Sequence, residues 1–261
     1  MTGASAPSSL LAVRQVSVRF GGIVALDKIS FDIRRGEILG LIGPNGAGKT
    51  TLFNCLSRLY TPSGGDILFE GASILGRPAH RIAELGIGRT FQNVALFRRQ
   101  SVLDNVMIGG HCRGSSDFVS DALHLPWVGR ADRDLERRAR DALASLGLDA
   151  VAHVPAASLP FGTQKRVELA RALMSEPRLL LLDEPAGGLN HDEVHGLGRL
   201  IRQIRDQRGI TILLVEHHMG LVMSISDTVV VLNFGRKLAE GTPERVSRDP
   251  EVIRAYLGEA A

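Results

Sequence analysis

The chain has 261 residues, of which 44% are hydrophobic, 23% charged and 5% aromatic, and its net charge is +3. This is ordinary globular composition, rich enough in apolar residues for a core without disulfide or metal staples, and it excludes a disordered or fibrous protein. No apolar run approaches the roughly 18–20 residues of a membrane span, and MTGASAPSSLLAV has no basic residue before its short apolar stretch, so neither a spanning helix nor a signal peptide is expected. Cys55 and Cys112 lie far apart without metal-ligand spacing; they fit a reducing compartment, and nothing in the sequence supports a disulfide between them. The expectation is a soluble, cytoplasmic chain.

Residues 11–20 and 29–33 alternate apolar and polar, as half-buried strands do, with RFGG marking a turn between them. ILGLIG at 38–43 reads as a buried strand ending on glycine, and TTLFNCLSRLY at 50–60 as a helix stopped by TPSGG. From about 95 to 165 the spacing is helical: Leu135, Ala139, Leu143 and Leu146 share one face, and RGSSD at 113–117 separates that helix from an earlier one near 102–109. The pattern then returns to strands and helices. RLLLLD at 178–183 and GITILLVEH at 209–217 are buried strands flanking the helix HDEVHGLGRLIRQIRDQ. TVVVLNFGRKLAEG at 228–241 is a hairpin turning at Asn233–Gly235, and EVIRAYLGE is a terminal helix. Apolar strands alternating with helices imply an α/β fold with a largely parallel sheet covered on both faces.

The positive charge is concentrated. Between Arg77 and Arg140 there are eleven arginines against seven acidic residues, which suits nucleic acid, a membrane surface, a partner with an acidic face, or a merely solvated exterior.

GPNGAGKTT at 43–51 matches G-x-x-x-x-G-K-[ST] between a strand and a helix, the context a phosphate-binding loop requires. Gly43, Pro44, Asn45, Gly46, Ala47 and Gly48 form a loop able to curl its backbone N–H groups around an anion, and the helix dipole adds positive potential there. Lys49 is placed to reach the β- and γ-phosphates, Thr50 to ligate Mg²⁺, and Thr51 to follow it in the first helical turn. The partner element is LLLLDEPAGGLN: an apolar strand ending in Asp183 sets a carboxylate at the sheet edge, where it can hold Mg²⁺ through water. Glu184 directly after it can polarise the attacking water as a general base.

With these motifs in place, the sequence resembles the ATP-binding cassette (ABC) ATPases over nearly its whole length. RTFQNVALF at 89–97 resembles the Q-loop, with Gln92 sensing Mg²⁺ or water and linking to a transmembrane partner. LPFGTQKRVELARAL at 159–173 occupies the place of the family signature, GGLN at 187–190 resembles the D-loop, His217 matches the switch histidine, and Phe20 matches an aromatic that stacks on adenine. The resemblance implies a P-loop NTPase of ABC type with a helical subdomain and an N-terminal antiparallel β part. The implied division is 1–94 and 166–241 for the two parts of the core, 95–165 for the helical subdomain, and 242–261 for a helical tail.

RFGG, GIGRTFQNVALF, DEPAGGLN, VEHHMGLVMSISD, AEGTPE and VIRAYLGEA look like the ATPase subunits of branched-chain amino-acid importers; urea and amide importers have similar subunits. The resemblance implies ATP and Mg²⁺ as cofactors, and a place at the cytoplasmic face of the inner membrane. It also implies two integral-membrane permeases, a second ATPase subunit and an extracytoplasmic solute-binding protein as partners, with no nucleic acid. Two departures stand out. Where the family signature begins Leu-Ser-Gly-Gly-Gln, this chain reads Leu159-Pro160-Phe161-Gly162-Thr163, so Pro160 removes a hydroxyl and a backbone donor. A nucleotide site completed by this segment is therefore expected to turn over more slowly than one completed by an unaltered signature. The D-loop ends in Asn190 where Asp is commoner, and His218 stands where Asp is frequent. A nucleic-acid ABC ATPase is disfavoured because the chain has room for neither a second cassette nor a coiled-coil insertion, and a GTPase because Asn-Lys-x-Asp is absent; the altered signature leaves a purely regulatory ATP-binding subunit as the open alternative.

Overall fold

The strands, in chain order, are β1 (Ser9–Phe20), β2 (Ile23–Arg34), β3 (Ile38–Ile42), β4 (Gly64–Phe69), β5 (Ala72–Ser73), β6 (Ile87–Arg89), β7 (Leu179–Asp183), β8 (Thr211–Val215), β9 (Thr228–Asn233) and β10 (Arg236–Gly241). The helices are α1 (Lys49–Leu56), α2 (Val102–Ile108), α3 (Val128–Ser145), α4 (Phe161–Leu173), α5 (His191–Arg208), α6 (Met219–Ile225), α7 (Pro243–Ser247) and α8 (Pro250–Leu257). This computed structural model describes residues 9–90, 94–111 and 128–257. They fall into two units, one formed by the chain up to Ile82 together with Arg178 onwards, the other by Ala83–Pro177.

The first unit holds two sheets. In the antiparallel one, ordered β2-β1-β4-β5, Leu11, Val13, Val16 and Val18 turn inward from β1. The strand β2 begins at Ile23, six residues before the alternation at 29–33 suggests. The strands β4 and β5 have no counterpart in the sequence reading, where TPSGG registers only as a turn; they form because Leu11, Ala12, Val13 and Arg14 offer β4 a second edge of β1. In the other sheet, within this unit, the order is β10-β9-β3-β8-β7. Its strands β3, β7, β8 and β9 run parallel, and β10 returns antiparallel through a two-residue turn at Phe234 and Gly235. Every residue of β3, β7 and β8 is buried, which is why these strands read as unbroken apolar runs.

Helix α1 ends at Leu56, short of the expected 60. Ser57 Oγ donates to the Phe53 carbonyl, Arg58 turns left-handed at φ 59, and its guanidinium donates to Leu75 O at 2.6 Å, which leads the chain off the helix axis. Cys55 is fully buried on α1, and burial pushes its thiol up to about 11, so it stays protonated at neutral pH. Helix α5 carries the stripe Val194, Leu197, Ile201 and Ile204, and it starts from a reciprocal cap: Asn190 Oδ1 accepts from Glu193 N while Glu193 Oε2 accepts from Asn190 N. Helix α8 ends the described chain; the last residues of the expected terminal helix, 258 and 259, lie outside the described residues.

The second unit is mostly helical, with α2, α3 and α4 packed on one another. The sequence boundary at 165 falls inside α4, a continuous helix whose Val167, Leu169, Ala170 and Leu173 are buried. Ala139, Leu143 and Leu146 are buried as the helical spacing predicts, with Leu135 half-buried. Several arginines of the basic stretch are internally paired: Arg137 with Asp134, Arg140 with Glu136 at 2.7 Å, and Arg138 with Glu176 at 3.2 Å. Exposed pairs of this kind contribute little stability, but they blunt the positive surface. RGSSD at 113–117 and Cys112 lie outside the described residues. Among the described residues no helix is long and apolar enough to cross a membrane.

Candidate nucleotide and catalytic site

The phosphate loop grows from the carboxyl end of β3, the edge of a parallel sheet where open α/β folds place ligands. Gly43 makes the exit possible. At φ 154, a Cβ on it would lie 2.2 Å from the Leu232 carbonyl of β9 and 3.1 Å from Ala47 Cβ. Beyond it, Asn45 and Gly46 are exposed, Pro44 and Ala47 are buried, and Gly48 at φ 100 hands the chain to α1 at Lys49. The first turn of α1 holds no acidic residue, so nothing on the helix offsets the positive end of its dipole. Lys49 is buried, and its Nζ donates to Gly43 O at 2.6 Å and Pro44 O at 2.8 Å, holding the ammonium against the loop it serves. Thr50 is exposed and Thr51 half-buried. The β9–β10 turn braces the loop: Gly235 N donates to Ala47 O at 3.1 Å, and Asp27 N donates to Gly235 O at 2.8 Å.

Sheet register carries the acidic residues to the same edge. Asp183 pairs with Val215, and Val215 with Leu41, so the three stand in one line across β7, β8 and β3. Asp183 is buried at the end of β7. Glu184 follows at φ 47, a left-handed conformation that costs a non-glycine residue on the order of 1–3 kcal/mol. Its N–H donates to Val215 O at 2.9 Å, which holds the turn. Its carboxylate, with the side chain 18% exposed, lies 2.7 Å from His217 Nε2, whose ring is 46% exposed. A carboxylate in contact with an imidazole at a partly open sheet edge can accept a proton from water while its own orientation stays fixed.

Glu216 has no role in the sequence reading, where the one signal for it is a carboxylate closing the apolar run TILLV. In the structure it is 2% exposed and accepts from three backbone N–H groups: Ala186 at 2.6 Å, His217 at 3.0 Å and His218 at 3.3 Å.

Phe20, 48% exposed at the end of β1, meets Tyr60 edge-to-face with ring centroids 5.4 Å apart, leaving an aromatic surface open. Gln92 lies outside the described residues. Leu159, Pro160, Phe161, Gly162 and Thr163 belong to the second unit. Leu159 is buried, and Pro160 occupies the cap position of α4 without a side-chain hydrogen bond, its carbonyl accepting from Thr163 N and Gln164 N at 3.0 Å. Phe161 is exposed, with Lys165 Nζ 5.6 Å from its ring centroid. Asn190 caps α5.

Among the described residues no three His, Cys, Asp or Glu side chains cluster to hold a metal. A hydroxyl at Thr50 and one carboxylate at Asp183 do suit Mg²⁺, which keeps waters and takes its other ligands from substrate phosphates instead of a protein cage.

Comparison with known proteins agrees with this geometry. The family model described as ABC transporter matches residues 26–187, and that of the branched-chain amino acid ATP-binding cassette transporter matches 236–261. The chain is 43% identical to the high-affinity branched-chain amino acid transport ATP-binding protein BraF of Pseudomonas aeruginosa, over 96% of this chain and 98% of that protein. It is 46% identical to LivG of Salmonella typhimurium, a protein of the same description, with the same coverage. Among solved structures, an ATP-binding cassette of an ABC transporter in its ADP conformation superposes with a TM-score of 0.84 at 30% identity, covering 96% of this chain and 99% of that one. A nucleotide-free cassette gives 0.83 at 29% identity, covering 95% and 99%. The matched segment runs from β2 through the phosphate loop to the turn after Glu184, and the chain belongs to the ABC transporter family as an ATP-binding, ATP-hydrolysing protein.

Proposed function

We propose that this chain powers the uptake of branched-chain amino acids by hydrolysing ATP beneath membrane permeases. The observation that carries the catalytic half is the Glu184–His217 contact of 2.7 Å on the sheet edge from which the Lys49 loop emerges. The solute half rests on the 43–46% identity to BraF and LivG over 96% of the chain.

In this reading, Phe20 stacks on the adenine, the N–H groups of residues 43–51 wrap the phosphates, and Lys49 swings from its own loop carbonyls to the β- and γ-phosphates. Glu184 takes the proton of the attacking water, and His217 holds the Glu184 carboxylate while its ring contacts the γ-phosphate. Thr50, Asp183 and Gln92 would hold Mg²⁺, which supplies charge neutralisation to the phosphates when bound. A second ATPase subunit, a copy of this chain or a related one, completes the site: Gly162 and the start of α4 face the γ-phosphate held by the partner, and Asn190 lies at the shared boundary. Pro160 leaves that approach with one backbone donor fewer, and a site it completes turns over more slowly than one completed by an unaltered signature.

The chain works at the cytoplasmic face of the inner membrane, and an extracytoplasmic binding protein delivers solute to two permeases. The permease contact is assigned to the second unit. There Asn105, fully buried, pins the segment ahead of α2 through Phe97 N at 2.8 Å, Phe97 O at 3.1 Å and Ser101 O at 2.9 Å, and this segment displays Phe97 55% exposed. Extraction of the full chain from its native membranes in mild detergent tests the assignment. Two multi-span proteins and a second ATPase are expected to stay bound; recovery from the cytosol alone, or with ribosomes, contradicts it.

A further inference from the structure

The carboxylate of Glu216 is buried and hydrogen-bonded beside the site, yet nothing in the hydrolysis scheme uses it. Burying a carboxylate is costly unless its oxygens are well bonded, and here both are: Oε1 takes Ala186 N at 2.6 Å, and Oε2 takes His217 N at 3.0 Å and His218 N at 3.3 Å. What these bonds join is specific. Ala186 lies two residues after Glu184 and immediately before the 187–190 segment; His217 and His218 are the first residues beyond Glu216 on the way out of β8. The same two exits are also joined by Glu184 N to Val215 O at 2.9 Å and by the Glu184 carboxylate to His217 Nε2 at 2.7 Å. That side-chain contact is exposed on the His217 side, whereas the ties through Glu216 are anchored on a buried carboxylate and hold the backbone of both exits.

We propose that Glu216 is a positioning residue that makes the Glu184 turn and His217 one rigid body and carries displacement of residues 187–190 to both. The inference rests on the catalytic assignment of Glu184 and His217. Charge and reach both matter: the carboxylate offers acceptors to three donors, whereas a glutamine presents one carbonyl and turns an N–H₂ group against a backbone N–H.

The test is a double-mutant cycle on the full chain, reading ATP turnover, KM for ATP and melting temperature. Glu216→Gln is expected to lower kcat on the order of tenfold or more, with KM changed less than about twofold, because the Lys49 loop is untouched. Glu216→Asp, which keeps the charge on a shorter stem, is expected to lose less. Because Glu216 acts by locking His217 to the Glu184 turn, and His217→Ala leaves no imidazole to lock, adding Glu216→Gln to His217→Ala is expected to slow turnover by less than about twofold beyond His217→Ala alone. Multiplying losses, KM rising in step with falling kcat, or wild-type turnover in Glu216→Gln would each overturn the proposal. Should Glu216→Gln melt below the assay temperature, Glu216→Asp carries the same cycle. Wild-type rates in both Glu184→Gln and His217→Ala would instead remove the catalytic assignment itself.

Discussion

Glu184→Gln is expected to abolish steady-state ATP hydrolysis to within about a hundredth of the wild-type rate while leaving ATP binding intact. The substitution is close to isosteric. The backbone at φ 47 is fixed by Glu184 N donating to Val215 O, a bond independent of the side chain, so the turn keeps its shape. What disappears is the ability to take a proton from water, and general-base catalysis of this kind contributes about 10²–10⁴-fold. Lys49, with its contacts to Gly43 O and Pro44 O, belongs to a different strand exit, so nucleotide affinity has no reason to fall. Equilibrium binding of labelled ATP beside phosphate release checks both halves; wild-type release in the variant removes Glu184 from the chemistry.

Gly43→Ala is expected to have the opposite signature, losing ATP binding first. The added Cβ would lie 2.2 Å from a backbone carbonyl, Leu232 O, in a strand held between β3 and β10. No rotamer change relieves a clash with backbone, so the loop itself must move, and the two carbonyls that seat Lys49 move with it. A drop in ATP affinity of at least tenfold is expected, with a stability loss on the order of 1–3 kcal/mol from the strained φ. Gly46→Ala is the control. Gly46 also has a positive φ, 76, but nothing stands within 4 Å of its added Cβ, so it is expected to show the strain without the displaced lysine. Equal losses of affinity at the two glycines would contradict the steric argument.

The parts of the site that were readable in sequence are those whose chemistry lies in contiguous residues. A buried strand, a glycine loop and a helix follow one another from Ile38 to Leu56, and LLLLDE sets two carboxylates at a strand end; each pattern specifies its own geometry locally. The role of Glu216, and the brace that the Gly235 turn supplies, were not readable because they act across the fold. Glu216 binds Ala186, thirty residues away, and Gly235 braces Ala47 from the other end of the chain. The antiparallel sheet was only half legible for a similar reason. The short, glycine-led β4 gains its strand character from pairing with β1, and nothing in its own composition announces it. Asn190 shows the reverse case: the change from the commoner Asp keeps a side-chain oxygen for Glu193 N, so the cap of α5 survives a substitution that sequence comparison flags as a departure.

The most direct measurement is ATP-driven solute uptake by proteoliposomes. They would carry the complete detergent-extracted complex, with ATP enclosed and solute-binding protein outside. Labelled leucine, isoleucine or valine is expected to accumulate only with ATP inside, and to fail to accumulate when this chain carries Glu184→Gln. Accumulation unchanged in that variant, or ATP hydrolysis with no movement of any of the three solutes, would contradict the account.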